Sequence, residues 1–188
     1  MATIFRDLLK KNGRASQIQS DDWYNLKTQQ VSDKDDVLQN TISRTFMAPG
    51  FMYMFHYIPK NKNTLDVYDV FPLVFPFKKL SNGFLGINLN YLSKSLRAKL
   101  LDELNNITLN KDYDEALTFR LTYYLLQRLS QQPEYKPYIR HYLNSQVKSR
   151  YIVIPPVEWA NVLYLTSREM QDETKQTVVK ETKHIIER

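Results

Sequence analysis

The chain of 188 residues contains no cysteine. That absence excludes a disulfide scaffold, a thiolate zinc site, an iron–sulfur cluster and a cysteine nucleophile. Histidine is also scarce, because His56, His141 and His184 stand far apart in the sequence. A histidine-rich metal centre is therefore not expected. We predict neither a bound metal nor a cofactor.

The sequence also lacks the motifs of the common enzyme classes. It contains no GxxxxGK[ST], GxGxxG, HExxH or GxSxG pattern. Glycine occurs only four times, and the pair Gly83 and Gly86 falls in a strand pattern, where it indicates close backbone approach. Asp112, Asp114 and Glu115 precede a helical pattern, which favours helix capping over acid–base or metal chemistry. We predict that the protein is not an enzyme.

One further group of polar residues could bind a cation. Asp66 and Asp69 would approach His56 if the first two predicted strands pair. The alternative is a turn in which these side chains are satisfied by ordinary hydrogen bonds, and the sequence favours that alternative.

Long hydrophobic runs are absent as well. The most apolar stretches, residues 51–58 and 67–77, are far shorter than the roughly 20 residues that span a bilayer. The N-terminus alternates apolar and charged residues at helical spacing, unlike a signal peptide. We expect a cytosolic protein without a membrane partner.

The composition leans towards basic and aromatic residues. Lys and Arg number 26 against 20 Asp and Glu, and the aromatic fraction is 13%, with 13 tyrosines. A net charge of +6 favours an anionic partner such as nucleic acid. Because both signs are interspersed along most of the chain, an ordinary solvated surface explains the charge equally well.

Hydrophobic periodicity divides the chain into three parts. Residues 1–48 form a helical N-terminal arm, with Ser20 as a candidate N-cap, that is too polar for a core of its own. We expect it to pack on the main body or on another chain. Residues 167–188 form a helical C-terminal extension that is almost wholly polar, which either docks on a partner or frays in solvent.

The central part, residues 49–166, is predicted to be an α+β core domain. Period-two patterns predict antiparallel strands over 51–58, 67–77 and 84–92, and Pro72 and Pro76 should place the second at a sheet edge or bend it. Apolar stripes predict helices over 95–107, 113–131 and 134–147, with a strand at 151–154. The fold class is α+β, with a small antiparallel sheet or partial barrel packed with helices and helical extensions at both ends.

A basic and aromatic tract near residue 140 is the best candidate for nucleic-acid binding. If the protein caps DNA ends, we expect Lys136, Arg140, Lys148 and Arg150 to contact phosphates, with neighbouring tyrosines stacking on exposed bases. The alternative is structural. On a helix, one face of this tract would simply belong to the core, a face made of Tyr135, Tyr138, Ile139 and Tyr142.

The central segments also resemble a known family. The segments are FMYMFHYIPKNKNTLDVYDVFPLVFPFKKLSNGFLGINLNYLSKSLRAKLLDEL, LTYYLL and YIRHYLNSQVKSRYIVIPPVEWANVLYL, and they include Phe71-Pro72-Leu73, Gly83-Phe84-Leu85-Gly86, Leu96-Arg97-Ala98, Ser149-Arg150 and Glu158-Trp159. They are similar to virion-associated proteins of T4-like tailed phages, which are described as DNA end protectors or as structural proteins. The resemblance covers about residues 51–165.

The resemblance implies a non-enzymatic structural or assembly protein of the phage virion, in the head, neck, tail or baseplate, that contacts packaged DNA ends. Its partners would be other virion proteins in a symmetric multi-copy assembly, and double-stranded DNA ends. It would be found in the virion, and in the host cytoplasm during assembly. The alternative is a free protein that binds DNA ends and shields them from host nuclease. A nuclease would need a carboxylate cluster that the sequence does not assemble.

Overall fold

A single antiparallel sheet forms the centre of the molecule. The computed structural model describes residues 3–11, 14–32, 42–60, 62–64 and 68–167. Within them, six strands are arranged in the order β1-β6-β2-β3-β4-β5, and each pairs antiparallel with its neighbours. The strands are β1 (Ser43–Arg44), β2 (Met52–Met54), β3 (Leu73–Lys79), β4 (Gly83–Asn88), β5 (Ile139–Leu143) and β6 (Tyr151–Ile154).

Helices cover one face of this sheet, which confirms the predicted α+β class. They are α1 (Ile4–Lys10), α2 (Arg14–Ser32), α3 (Lys94–Thr108), α4 (Glu115–Ser130) and α5 (Trp159–Tyr164). Alternation along β2 explains the two faces: Met52 and Met54 are buried in the cluster that includes α3 and α5, whereas Tyr53 is buried in a second cluster on the other face. The sheet therefore has a hydrophobic core on both sides.

Side-chain caps begin α3 and α4, the cap predicted before α4 is confirmed, and the cap predicted at Ser20 is wrong. The Ser93 hydroxyl accepts from the Leu96 N–H at 3.3 Å, and the Asp114 carboxylate accepts from the Leu117 N–H at 2.7 Å. Ser20 does not cap a helix, because α2 already begins at Arg14 and Ser20 is buried in its middle.

The strand that contains two prolines bends rather than lying at an edge. Pro72 precedes β3, and Pro76 lies inside it, between β2 and β4. The register with β4 shifts between Pro76 and Lys78, so the missing proline N–H falls at a bulge. Gly86 faces Pro76 there, and a Cβ at Gly86 would stand 2.2 Å from Cγ1 of Val74. The prediction of close approach is confirmed.

The second face of the sheet is filled by aromatic rings. We call this set the aromatic cluster: Tyr53, Phe55, Tyr57, Phe84, Tyr142 and Tyr151, all buried with Val74 and Val153. The segment after β5 returns across it, because Val147 forms an isolated antiparallel bridge with Tyr57. That bridge continues the antiparallel pairing of β2 with β6, and the six described strands form an open sheet with β1 and β5 at its edges.

The predicted helix over 134–147 is wrong. A 3-10 turn occupies Lys136–Tyr138, and β5 follows it. Ile139 and Tyr142 would share one face of a helix, but in β5 they point to opposite faces, Ile139 towards the helices and Tyr142 into the aromatic cluster. Pairing with β4 on one side overrides the weak local helical pattern.

The N-terminal helices pack on the core, one of the two arrangements expected for this polar arm. The buried Asp102 carboxylate accepts from the Phe5 N–H at 2.8 Å and from Nε of Arg6 at 2.7 Å, which fixes α1 against α3. Glu158 fixes α2 in the same way, accepting from Nε1 of Trp23 at 2.7 Å and pairing with Lys27. The predicted C-terminal helix lies outside the described residues, apart from Ser167.

Candidate nucleic-acid interface

Charges are sorted between the two layers of the molecule. We define the sheet layer as the described residues of 42–92 together with 135–157, and the helical layer as the rest. The sheet layer carries a single carboxylate, Asp69. It carries nine basic side chains: Arg44, Lys60, Lys62, Lys78, Lys79, Lys136, Arg140, Lys148 and Arg150.

The one acid of the sheet layer is not on its surface. Asp69 is 6% exposed, and its Oδ2 accepts from the side-chain amides of Asn90 at 2.6 Å and Asn88 at 3.2 Å. The other described carboxylates lie on the helices or in the segments that flank them. The outer surface of the sheet layer is therefore positive, which suits a polyanion.

Two acid-free stretches of sequence meet to form part of this surface. Residues 37–65 and 135–157 contain no Asp or Glu. The Lys148 N–H donates to the His56 carbonyl at 2.8 Å, and the Ile58 N–H donates to the Gln146 carbonyl at 3.1 Å. These bonds bring Lys148 beside the segment that leads to Lys60, although the two lysines are far apart in sequence.

Two of the predicted phosphate contacts, Lys148 and Arg150, are exposed at this junction. Nζ of Lys148 donates to the Ser145 carbonyl at 2.9 Å, a contact that leaves its charge in solvent. Between them, the Ser149 hydroxyl accepts from the His56 N–H at 2.9 Å, so backbone contacts hold the segment in place. Lys136 lies apart from this pair, half-buried in the 3-10 turn before β5.

Arg140 has a different environment from the other three. Its Nη1 donates to the carbonyls of Pro137 at 2.9 Å and Ile139 at 3.1 Å, and the guanidinium lies 5.0 Å from the ring centroid of Tyr91. Burial lowers the pKa of Arg140, while the negative potential of Tyr142, Tyr91 and Asp69 acts to raise that pKa. The Arg140 side chain is thus held by backbone carbonyls and by an aromatic ring of the protein itself.

The rings of the predicted binding tract belong to the core. Tyr135, Ile139 and Tyr142 are at most 3% exposed, so they are core residues, although Ile139 and Tyr142 lie on two faces of a strand and not on the one helical face that was expected. The Tyr142 hydroxyl accepts from Nδ2 of Asn88 at 2.9 Å, and burial raises the pKa of this tyrosine well above its usual value. These rings are not available to stack on bases.

Exposed aromatic surface occurs at the other end of the sheet, next to β1. Phe46 is 66% exposed and Phe119 37% exposed. The guanidinium of Arg44 lies 4.4 Å from the ring centroid of Phe51, and that ring is 5.9 Å from the ring of Phe119. Sequence reasoning missed these residues and also Lys60 and Lys62. The absence of acids from residues 37–65 is the signal that could have found them.

The two described residues of the candidate cation site, His56 and Asp69, each contact other groups. The His56 ring packs on Phe71, with centroids 5.3 Å apart, and Asp69 is engaged by the two asparagines. Asp66 lies outside the described residues. Among the residues described, no group of three His, Asp or Glu side chains could hold a metal ion, and no helix is both long and apolar enough to cross a membrane.

This combination defines a class: an α+β protein with a carboxylate-poor sheet layer suited to a polyanionic partner. Residues 2–184 of the chain match the model of a family described as phage T4 terminal DNA protecting protein. The chain belongs to this family, and the resemblance noted from its central segments is confirmed. Comparisons with curated proteins and with solved structures give no significant match.

Proposed function

We propose that this protein is a non-enzymatic phage protein that binds the ends of double-stranded phage DNA and shields them from nuclease. The observation that carries the proposal is the sorting of charge, because the outer surface of the sheet layer bears lysines and arginines while its one carboxylate is buried. The family description, terminal DNA protecting protein, supports DNA ends as the target.

The contacts that we propose lie at the junction of the two acid-free stretches. Lys148 and Arg150 are exposed there, and Lys60 and Lys62 extend the same surface and are also exposed. Each cation that neutralises a phosphate releases condensed counterions, so binding weakens as salt rises. Four such contacts predict a slope of about −3.6 in a plot of log K against log salt concentration.

The test is a titration of blunt-ended duplex DNA at several salt concentrations. Lys148→Gln with Arg150→Gln should make the slope shallower by about 1.8, because two phosphate contacts are lost. The matched control is Lys111→Gln with Arg128→Gln, which removes the same charge from exposed positions of the helical layer. The proposal fails if the wild type does not bind duplex DNA at low salt, or if both double variants change the slope equally.

Protection is measured in the same tubes with an added exonuclease. Bound protein should slow digestion of a linear duplex, and the Lys148 and Arg150 double variant should protect less at the same concentration. Magnesium-dependent cleavage by the protein alone would overturn the non-enzymatic assignment.

We propose further that the protein is a structural component of the virion, present in the host cytoplasm only during assembly. Exposed apolar side chains on the helical layer support contacts with other virion proteins: Ile18 is 54% and Leu26 53% exposed. Mass spectrometry of purified particles should find a fixed copy number that fits a symmetric assembly. Absence from mature particles would favour the alternative, a free protein that binds DNA ends.

A further inference from the structure

Phosphate binding by lysines and arginines does not explain why phenylalanine rings are exposed beside β1. We call Arg44, Phe46, Phe51 and Phe119 the aromatic shelf. Phe46 and Phe119 are exposed, the Arg44 guanidinium lies 4.4 Å from the Phe51 centroid, and the Phe51 ring is 5.9 Å from the Phe119 ring; Phe46 follows Arg44 by two residues. Two exposed phenylalanines next to a cation–π pair form an apolar patch, and burying that patch against a partner would gain free energy.

The shelf is built on firmly held backbone. Arg44 is paired with Tyr151 across β1 and β6, and the Ala48 N–H donates to the Tyr53 hydroxyl at 3.2 Å. Gly50 has φ of 93°, a conformation that favours glycine, and it lies against the Phe119 ring. Phe46 therefore projects from a short loop that is fixed at both ends.

The charge around the shelf fits a nucleic acid. Arg44 lies on the strand next to β6, and Arg150 directly precedes β6, so two arginines flank the rings. At the start of α4, Asp114 and Glu115 precede Phe119 and Arg120 follows it, so the positive charge beside the rings comes from Arg44 and Arg150. An exposed ring between cations can stack on a base while the arginines neutralise the adjoining phosphates.

We propose that the aromatic shelf stacks on the terminal base pair of a blunt DNA duplex. This inference rests on the proposed function and specifies how an end is told from internal DNA. Inside a duplex every base pair is covered on both faces by its neighbours, whereas the last pair has one free π face. The aromatic shelf can stack only on that free face. The sheet-layer cations, in contrast, can bind phosphates anywhere along the duplex.

The test compares a blunt duplex with a duplex of the same sequence closed by hairpin loops at both ends. Phe46→Leu keeps the apolar side chain and removes the aromatic face, and at 66% exposure it should not disturb folding. We expect it to bind the blunt duplex about tenfold more weakly, the loss expected for one stacked base. Binding to the closed duplex and the salt slope should not change.

A 2-aminopurine placed at the terminal position reports stacking directly. Its fluorescence should change on binding the wild type and stay nearly constant with Phe46→Leu. The matched control is Tyr124→Leu, which removes an equally exposed ring from the opposite side of α4.

The outcomes separate this inference from the proposed function. If the wild type binds and protects duplex DNA but Phe46→Leu keeps its preference for blunt ends, the aromatic shelf does not read the end and this inference is overturned. An equal effect of Tyr124→Leu would also overturn the inference. If the wild type binds no duplex at all, both proposals fall.

Discussion

Nη1 of Arg97 donates to the carbonyl oxygen of Leu165 at 2.8 Å, from a side chain that is fully buried. The guanidinium donates to four more carbonyls, those of Leu89, Leu92, Val162 and Leu163. Arg97 thus joins α3 to the C-terminal end of α5 and to the 3-10 turn after β4. Burial lowers the pKa of Arg97 to about 10, which still leaves it charged at neutral pH.

Arg97→Met should therefore destabilise the protein strongly. Methionine fills a similar volume but leaves up to five buried carbonyls without this donor, a loss of about 3 kcal/mol or more in the free energy of unfolding. Urea denaturation followed by circular dichroism measures it. Arg97→Lys should fall between the wild type and Arg97→Met, because an ammonium group has three donors rather than five. A loss below about 1 kcal/mol for Arg97→Met would contradict this role.

Asp102→Asn should release α1 while leaving the sheet intact. The asparagine amide cannot accept from both the Phe5 N–H and Nε of Arg6 as the carboxylate does. We expect faster hydrogen exchange in residues 4–10 and a loss of about 1–3 kcal/mol in stability. Asp7→Asn, which alters an exposed carboxylate of the same helix, is the control and should leave exchange nearly unchanged.

Gly86→Ala and Gly83→Ala should both destabilise the sheet. A second substitution at a neighbouring side chain should restore stability only to Gly86→Ala. A Cβ at Gly86 meets Cγ1 of Val74 at 2.2 Å, so Val74→Ala removes the clash. A Cβ at Gly83 meets the backbone oxygen of Tyr142 at 1.9 Å, which no side-chain change relieves. A double-mutant cycle on unfolding free energies should give favourable coupling of about 1 kcal/mol or more for Gly86 with Val74. Simple additivity would argue against the close approach.

Arg140→Gln and Lys148→Gln should affect different measurements. Because Arg140 is half-buried against Tyr91 and bonded to backbone carbonyls, its substitution should lower stability and leave the salt slope of DNA binding unchanged. Lys148→Gln should leave stability within about 0.5 kcal/mol and reduce the slope by about 0.9. If Arg140→Gln instead reduces the salt slope and leaves stability unchanged, Arg140 contacts a phosphate.

Alkaline pH should unfold the protein through its buried tyrosines. Burial raises the pKa of Tyr53, Tyr57 and Tyr142, and raises the pKa of Tyr151 to about 12. The unfolded chain loses these protons near its ordinary pKa of about 10, before the folded protein does, so stability present below about pH 10 is lost as pH rises through the folded values. The part of the tyrosinate absorbance that comes from these buried tyrosines should appear together with the loss of the circular dichroism signal. Absorbance from these tyrosines that rises while the fold persists would contradict the prediction.

The sequence by itself determined the elements whose signals are local. Ser93 and Asp114 cap helices because their side chains reach the N–H groups of the first turn, and the alternation along β2 needs only the period of a strand. The family could also be recognised at this stage, because its motifs extend through the whole central region.

Only the tertiary structure decided the features that depend on distant partners. The tract around Arg140 becomes a strand because β4 offers an unpaired edge, and β3 occupies the centre of the sheet because a bulge accommodates Pro76. The tertiary structure also decided how the charged side chains are distributed between the two layers. The sequence contains two acid-free stretches, but only strand pairing brings residues 43–57 beside 147–154. That pairing gives the sheet layer nine cations and one buried carboxylate, while the other described acids lie in the helical layer, because backbone hydrogen bonds join strands that are far apart in the sequence.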